Sequence, residues 1–255
     1  MIDNNQIGFF NNNGYLQVKN CIPNDAIVNF RESFFSHFNT FFNENVEPDF
    51  DSPLLGSLID DLRLREGKKV KIFYNTVKLL SSYQELFLQD RAKEVSELLL
   101  KIQSSDIIIT AHQFRFDVPN DKEYLHDWHQ DSAYYPQDLS GLNSLVLNVS
   151  IQDVSSNMGS PNLAVGSHKG GPMDFVDNTG KKTSIQQLNV KSENVGNYKL
   201  RSLDQECGDL TIYQMNLIHK SGFNSSEKVR FSAIARAFDP LAESYRPFHL
   251  KSEWL

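Results

Sequence analysis

The sequence predicts a mainly β protein with a helical outer layer, in an α+β order. Three observations lead there. Segments with helical periodicity fill the chain up to about residue 104. From Ser105 onward the runs turn β-branched, aromatic and alternating. Clusters of Gly, Asn, Ser and Pro, such as SSNMGSPN and KSGFNSSEK, then punctuate those runs. With no internal repeat and no long low-complexity segment, residues 1–255 read as one domain. Residues 1–104 form a mostly helical support and 105–240 a β core.

The elements follow in order. Residues 24–42 carry Ile27, Phe30, Phe34, Phe38 and Phe41 or Phe42 on one stripe, which predicts an amphipathic helix capped by Asn24 or Asp25. Residues 56–103 continue in helical pattern, with one stripe through Leu79, Leu80, Tyr83, Leu86 and Phe87. A second runs through Val95, Leu98, Leu99 and Ile102. The strand candidates are DIIITAHQFRFDV, NSLVLNVSIQDV, GDLTIYQMNLIH and KVRFSAIARAF. In the first, alternation sets Ile108, Thr110, His112, Phe114 and Phe116 on a helix-facing side and Gln113, Arg115 and Asp117 on the other. Residues 174–206 have no clear boundaries and read as an insertion or lid over the barrel mouth.

Bulk properties narrow the function. The chain has 25 basic and 32 acidic residues, a formal net charge of −7. A general nucleic-acid binder carries a basic surface, so a small molecule is the expected partner. Cys21 and Cys207 lie in no CxxC pattern, which predicts reduced thiols. The start, MIDNNQIGFFNNNGY, has no basic and apolar signal regions, and no apolar run reaches membrane-spanning length. The expected location is the cytoplasm, with no membrane and no nucleic acid as partner.

The chemistry concentrates in HDWHQDSAYY, residues 126–135. His129 and Asp131 are two apart, and in extended chain both point to one face, where an imidazole and a carboxylate can hold one ion. His219, ending a strand-like run, is the candidate third ligand. Two histidines and one carboxylate suit non-haem Fe(II), which keeps positions open for cosubstrate and oxygen. They also suit a zinc hydrolase. His126 and His129, three apart, form another possible pair, but the segment carries no helical stripe. Arg230 stands eleven residues after His219 on the next strand-like run. There it can grip a carboxylate bidentately, with Ser221 adding a hydroxyl. For a lone arginine at such a place the exposed edge-strand reading is favoured; beside His219 and the intervening loop the carboxylate reading is favoured instead. The basic run REGKK, residues 65–69, reads as solvated surface that meets a phosphate if the substrate carries one.

Three ordered motifs carry a family resemblance. WHQD with the following Tyr134, Tyr135 and Pro136, MGSPNLAVGSHKGG, and GDLTIYQMNLIHKSGFNSSEKVR together resemble the phytanoyl-CoA dioxygenase family over residues 105–240. The resemblance implies a double-stranded β-helix (jelly-roll, cupin-like) core with N-terminal helices, Fe(II), 2-oxoglutarate and O2. It implies iron ligands His129, Asp131 and His219. Arg230 and Ser221 would hold 2-oxoglutarate, with Gln113 and Asn148 facing it. The implied activity is dioxygenase hydroxylation of a small-molecule metabolite or biosynthetic intermediate, with release of succinate and CO2. Relatives that halogenate replace the carboxylate ligand, and here Asp131 is intact. Val165 stands for the family's proline, and Asn157-Met158-Gly159 lengthens its usual Asn-Gly turn. Arg115, Trp128, Tyr134 and Tyr135 are the substrate-contact candidates. For Arg115, a structural pairing with Asp117 weighs equally, and for the three aromatics packing is the more frequent role. A metal-dependent hydrolase and a non-catalytic binding module on the same barrel remain the alternatives.

Overall fold

The computed structural model describes residues 2–134, 143–178 and 187–239. Five helical segments precede most of the strands: α1 (Asn4–Asn13), α2 (Asn24–Phe42), α3 (Leu54–Val77), α4 (Ser81–Glu85) and α5 (Asp90–Leu100). An early strand, β1 (Tyr15–Val18), follows α1. The helix expected at 24–42 forms there, but Pro23 occupies the capping position and no side chain caps it. Leu79 falls beyond the end of α3 and is exposed rather than part of a buried stripe.

One antiparallel sheet holds five strands in the order β1, β8 (Leu210–Gln214), β3 (Ser144–Val149), β10 (Arg230–Phe238) and β2 (Ile108–Asp117). A second places β4 (Asn162–Val165) between β7 (Lys199–Ser202) and β9 (His219–Lys220). A third pairs β5 (Phe175–Asp177) with β6 (Leu188–Val190). The short helix α6 (Ser192–Val195) follows β6. Together these strands form the jelly-roll core.

Alternation along the strands divides the interior in two. On β10, Phe231, Ala233, Ala235 and Ala237 join Phe114, Leu145, Leu147, Leu210 and Ile212 in a core shared with the helices. The opposite face of the same sheet contributes Tyr15, Val146, Tyr213 and Phe238 to a smaller cluster that includes Leu163 of β4. The polar residues of the large sheet, Gln113, Arg115, Asp117, Asn148, Arg230 and Arg236, share that second face and line a cavity. This is the physical reason a jelly roll carries its site inside: period two sends every other residue away from the helical core.

The face assignment for β2 holds only in part. Gln113 pairs with Ile234, but Thr110 pairs with Arg236, so β2 carries one extra residue against β10. A bulge of this kind exchanges the two faces beyond it. Thr110 therefore lines the cavity with Gln113 instead of joining Phe114 on the helix side.

The helical core is aromatic. Phe34 is almost fully buried and packs against Phe30, Phe35, Phe38, Phe50, Phe73, Phe114 and Phe231. It ties α2 both to α3 and to the sheet. Phe34→Ala is expected to cost about 3–5 kcal/mol, the usual range for emptying such a site. Denaturant unfolding followed by circular dichroism measures it, and a loss below about 1 kcal/mol would contradict this packing role.

Candidate metal centre

Two histidines meet through the backbone. His129 donates its N–H to the His219 carbonyl at 2.9 Å, and His219 donates back at 3.0 Å. This isolated antiparallel bridge puts both rings on one side with centroids 4.3 Å apart. Directly opposed residues in such a bridge point the same way. His219 opens β9, itself paired with Leu163 of β4, so the bridge is anchored to the second sheet.

Asp131 is the third member. It opens a 3₁₀ turn, Asp131–Tyr134, rather than continuing a strand. Gln130 holds the bend: its Nε2 donates to the carbonyls of Gly171 and Asn216, and its Oε1 accepts from the Met173 N–H. Asp131 Oδ1 lies 3.5 Å from His129 Nε2 and 3.7 Å from His219 Nε2. One donor atom from each of the three falls within 4.8 Å of the others.

The protonation pattern suits a metal. His129 Nδ1 lies 2.7 Å from the Asp127 carbonyl and His219 Nδ1 lies 2.9 Å from the Leu217 carbonyl. A carbonyl only accepts, so each Nδ1 carries the proton and each Nε2 offers a lone pair to the centre. Burial, then the neighbouring His129, pushes the His219 imidazole down to about 4. It is therefore neutral at physiological pH. Burial opposes ionisation of Asp131, but Arg236 foremost, then the two histidines, outweigh it and hold the carboxyl well below its usual range. Two imidazole nitrogens and one anionic oxygen, all converging, fit Fe(II).

Arg236 was not among the residues singled out by sequence. Its Nη2 and Nε donate to Asp131 Oδ2 at 2.7 and 3.1 Å, and the guanidinium also reaches Gln113 Oε1 at 3.3 Å. One Asp131 oxygen is thereby occupied, while the other faces the histidines. The available signal was strand period: Arg236 is six residues after Arg230, hence on the same face of β10.

A second charged group lies further along the same wall. Asp117 Oδ2 accepts from Arg230 Nε at 3.1 Å and Nη2 at 2.5 Å, and Asp117 Oδ1 accepts from Arg115 at 3.0 Å. Arg230 Nη1 also donates to the Gly159 carbonyl. Gly159 has φ +83°, and a Cβ there would meet the Gly222 carbonyl oxygen at 2.5 Å, so the turn carrying this acceptor needs glycine. Burial raises the Asp117 carboxyl, but Arg115 and Arg230 outweigh it and bring it to about 2. Arg115 also donates to the Tyr124 carbonyl at 2.8 Å. The pairing of Arg115 with Asp117 is thus the arrangement present.

Both clusters open onto one cavity of about 1100 Å³. Ser221 and Asn148 line it, and Asn148 donates to Tyr213 Oη at 3.5 Å. Tyr213, also missed by sequence reading, stacks on His219 at 5.4 Å and 20°. Tyr134 lines the wall and its Oη accepts from the Leu188 N–H at 3.1 Å. Residues 187–190 thus pack against the 125–134 loop, since Val190 also donates to the Trp128 carbonyl and Gln187 to the Leu125 carbonyl. Trp128 is a correction: it is not on the cavity wall but packs beside Ala164, Val190 and Ile218, beneath Lys220. The alternating backbone that sends His129 inward sends its neighbour outward. His126 lines the cavity, and its buried Nδ1 has no hydrogen-bond partner among the described residues. Tyr135, with Pro136, lies outside the described residues. Cys21 and Cys207 are both free thiols. No helix among the described residues is long and apolar enough to cross a membrane.

The family model for phytanoyl-CoA dioxygenase (PhyH) matches residues 10–232. The chain belongs to the phytanoyl-CoA dioxygenase family. Peroxisomal phytanoyl-CoA dioxygenase of Bos taurus is 27% identical over 235 residues, covering 87% of this chain and 64% of that protein. The chain therefore spans under two thirds of that relative's length. Among solved structures, the epimerase SnoN in complex with Fe3+, alpha ketoglutarate and nogalamycin RO is similar in fold. Its TM-score is 0.65 at 16% identity, covering 96% of this chain and 86% of SnoN. EctD from S. alaskensis with bound Fe gives 0.64 at 14% identity, over 99% and 82% of the two chains. EvdO2 from Micromonospora carbonacea var. aurantiaca complexed with 2-oxoglutarate gives 0.61 at 10% identity, over 93% and 91%.

Asp117 provides a test of the wall. Its folded-state carboxyl titrates near 2, below its unfolded value. The stability it contributes is present above the unfolded value of about 4 and is lost as pH falls through about 2. Asp117→Asn leaves two buried guanidinium groups uncompensated and is expected to cost about 3–5 kcal/mol at pH 7. The difference from wild type should shrink between about pH 4 and 2, read from unfolding midpoints across pH. A constant difference over that range would contradict the charge pairing.

Proposed function

We propose that the chain is an Fe(II)- and 2-oxoglutarate-dependent dioxygenase that hydroxylates a small molecule. The observation that carries the reading is the convergence of His129 Nε2, His219 Nε2 and Asp131 Oδ1 in a cavity that Arg230 also lines. In the overall reaction, one oxygen atom of O2 enters a substrate C–H bond and the other enters succinate, with CO2 released from 2-oxoglutarate.

Bound iron supplies the oxygen activation that no side chain provides. The protein residues do the rest. His129 and His219 offer neutral nitrogens. Asp131 offers one oxygen while Arg236 retains the other, which favours single-oxygen ligation and keeps positions open. Arg230 has five N–H donors, and three are engaged by Asp117 and the Gly159 carbonyl. One N–H on each terminal nitrogen has no partner among the described residues, a pair of donors suited to the distal carboxylate of 2-oxoglutarate. Ser221 adds a hydroxyl at the same wall, and Gln113 and Asn148 border the cosubstrate. The substrate candidates on the cavity side are Tyr134 and Arg115, Arg115 through its pairing with Asp117.

The test is anaerobic addition of Fe(II) and 2-oxoglutarate, followed by oxygen. The expected result is a weak visible charge-transfer absorption, then succinate. His219→Ala should abolish both. Arg230→Ala should weaken 2-oxoglutarate binding by about 2–3 kcal/mol, from losing a charged hydrogen-bond partner. Absence of absorption in the wild type, with metal retained equally by His219→Ala, would overturn the reading. A hydrolase on this barrel gives neither absorption nor succinate, and a pure binding module gives absorption without succinate.

A further inference from the structure

Helix α3 packs beside the edge strand β2 and lines one side of the cavity, and its charges are uneven. Its axis breaks at Glu66, whose φ of −136° and ψ of 38° are not helical. Beyond the break, Val70, Phe73 and Val77 are buried. Lys68, Lys71, Asn75 and Lys78 line the cavity. Their spacing of three, four and three places them on one helical face.

These lysines differ from their neighbours. In the same basic run, Arg65 pairs with Asp61 and Glu44, and Lys69 pairs with Glu66. Lys69 also sits over the Phe41 and Phe42 rings. Arg63, also on the cavity wall, pairs with Asp121. No carboxylate among the described residues pairs with Lys68, Lys71 or Lys78. Deeper in, Asp117 and Asp131 pair with Arg115, Arg230 and Arg236, which leaves a single positive charge at that end. Under the proposed function, the charges of Fe(II) and of the two 2-oxoglutarate carboxylates offset one another. The positive excess on α3 is then left over. A cavity wall with a positive excess, in a chain of net charge −7, concentrates anions at that wall.

We propose that the substrate carries an anionic group, a phosphate ester or a carboxylate, received by Lys68, Lys71 and Lys78 at the α3 side of the cavity. The inference rests on the oxygenase reading for the word substrate, and on charge and geometry for the anion. Lysine suits this task because its ammonium is a mobile point charge on a long stem, able to follow a group at a rim. Lys68 and Lys71 are exposed and Lys78 is half-buried, so the three span from mouth to wall.

The test uses protein loaded anaerobically with Fe(II) and saturating 2-oxoglutarate, so that Arg230 is already engaged. Hexyl phosphate, hexanoate and hexanol are titrated by calorimetry. At least one anion should bind about tenfold or more tighter than hexanol and weaken with added salt, as a charge-assisted contact does. Preference for hexyl phosphate over hexanoate identifies a phosphate ester, and the reverse a carboxylate. The combined Lys68→Ala, Lys71→Ala, Lys78→Ala variant should lose that preference, while Lys69→Ala keeps it. Equal or undetectable binding of both anions relative to hexanol, or an unchanged preference in the combined variant, would overturn the α3 site. The 2-oxoglutarate absorption is read in the same samples. Absorption without anion preference overturns the α3 site alone; anion preference without absorption overturns the oxygenase reading and leaves the site standing.

Discussion

The reciprocal backbone bridge between His129 and His219 is the constraint on which the site depends. Ninety residues of chain separate the two histidines, yet two hydrogen bonds fix them opposite one another. Once they are opposed, side-chain direction follows from strand geometry rather than from any contact between the rings. The carbonyls of Asp127 and Leu217 then select the tautomer, and the 3₁₀ turn brings Asp131 underneath. The placement of the three candidate ligands is thus largely a backbone property.

The second constraint is charge balance in a buried space. Arg236 answers Asp131, while Arg115 and Arg230 together answer Asp117. Buried ions cost several kcal/mol each unless paired with good geometry, so these groups hold one another in place. The same pairings leave specific donors unspent, notably one N–H on each terminal nitrogen of Arg230. Along the α3 side, no carboxylate among the described residues pairs with Lys68, Lys71 or Lys78. The cavity is therefore paired at its inner end and carries its larger positive excess along α3.

Much of this was legible in the sequence, for identifiable reasons. Helix-period phenylalanines in α2 and alternating runs in β3, β8 and β10 report burial directly, because burial follows period. His129, Asp131, His219 and Arg230 were readable because their spacing coincides with family motifs. What failed to show depended on three-dimensional detail. The bulge in β2 has no composition signal, and it moved Thr110 to the cavity side. Trp128 was open between pocket wall and packing in its sequence neighbourhood, and adjacency to the inward His129 implies the packed, outward face it takes. Arg236 and Tyr213 become visible as site residues only when strand register is known, because their partners lie on other elements.

The central claim is that one iron ion is held by His129 Nε2, His219 Nε2 and a single oxygen of Asp131, with the other oxygen kept by Arg236. Anomalous diffraction at the iron edge, from crystals grown anaerobically with Fe(II), tests it most directly. The account expects one strong peak at about 2.0–2.2 Å from those three atoms, the distance range of nitrogen and oxygen ligands to such ions, with the Arg236–Asp131 pair intact. A peak elsewhere, no peak at this centre, or iron bound through both Asp131 oxygens with Arg236 displaced would contradict it.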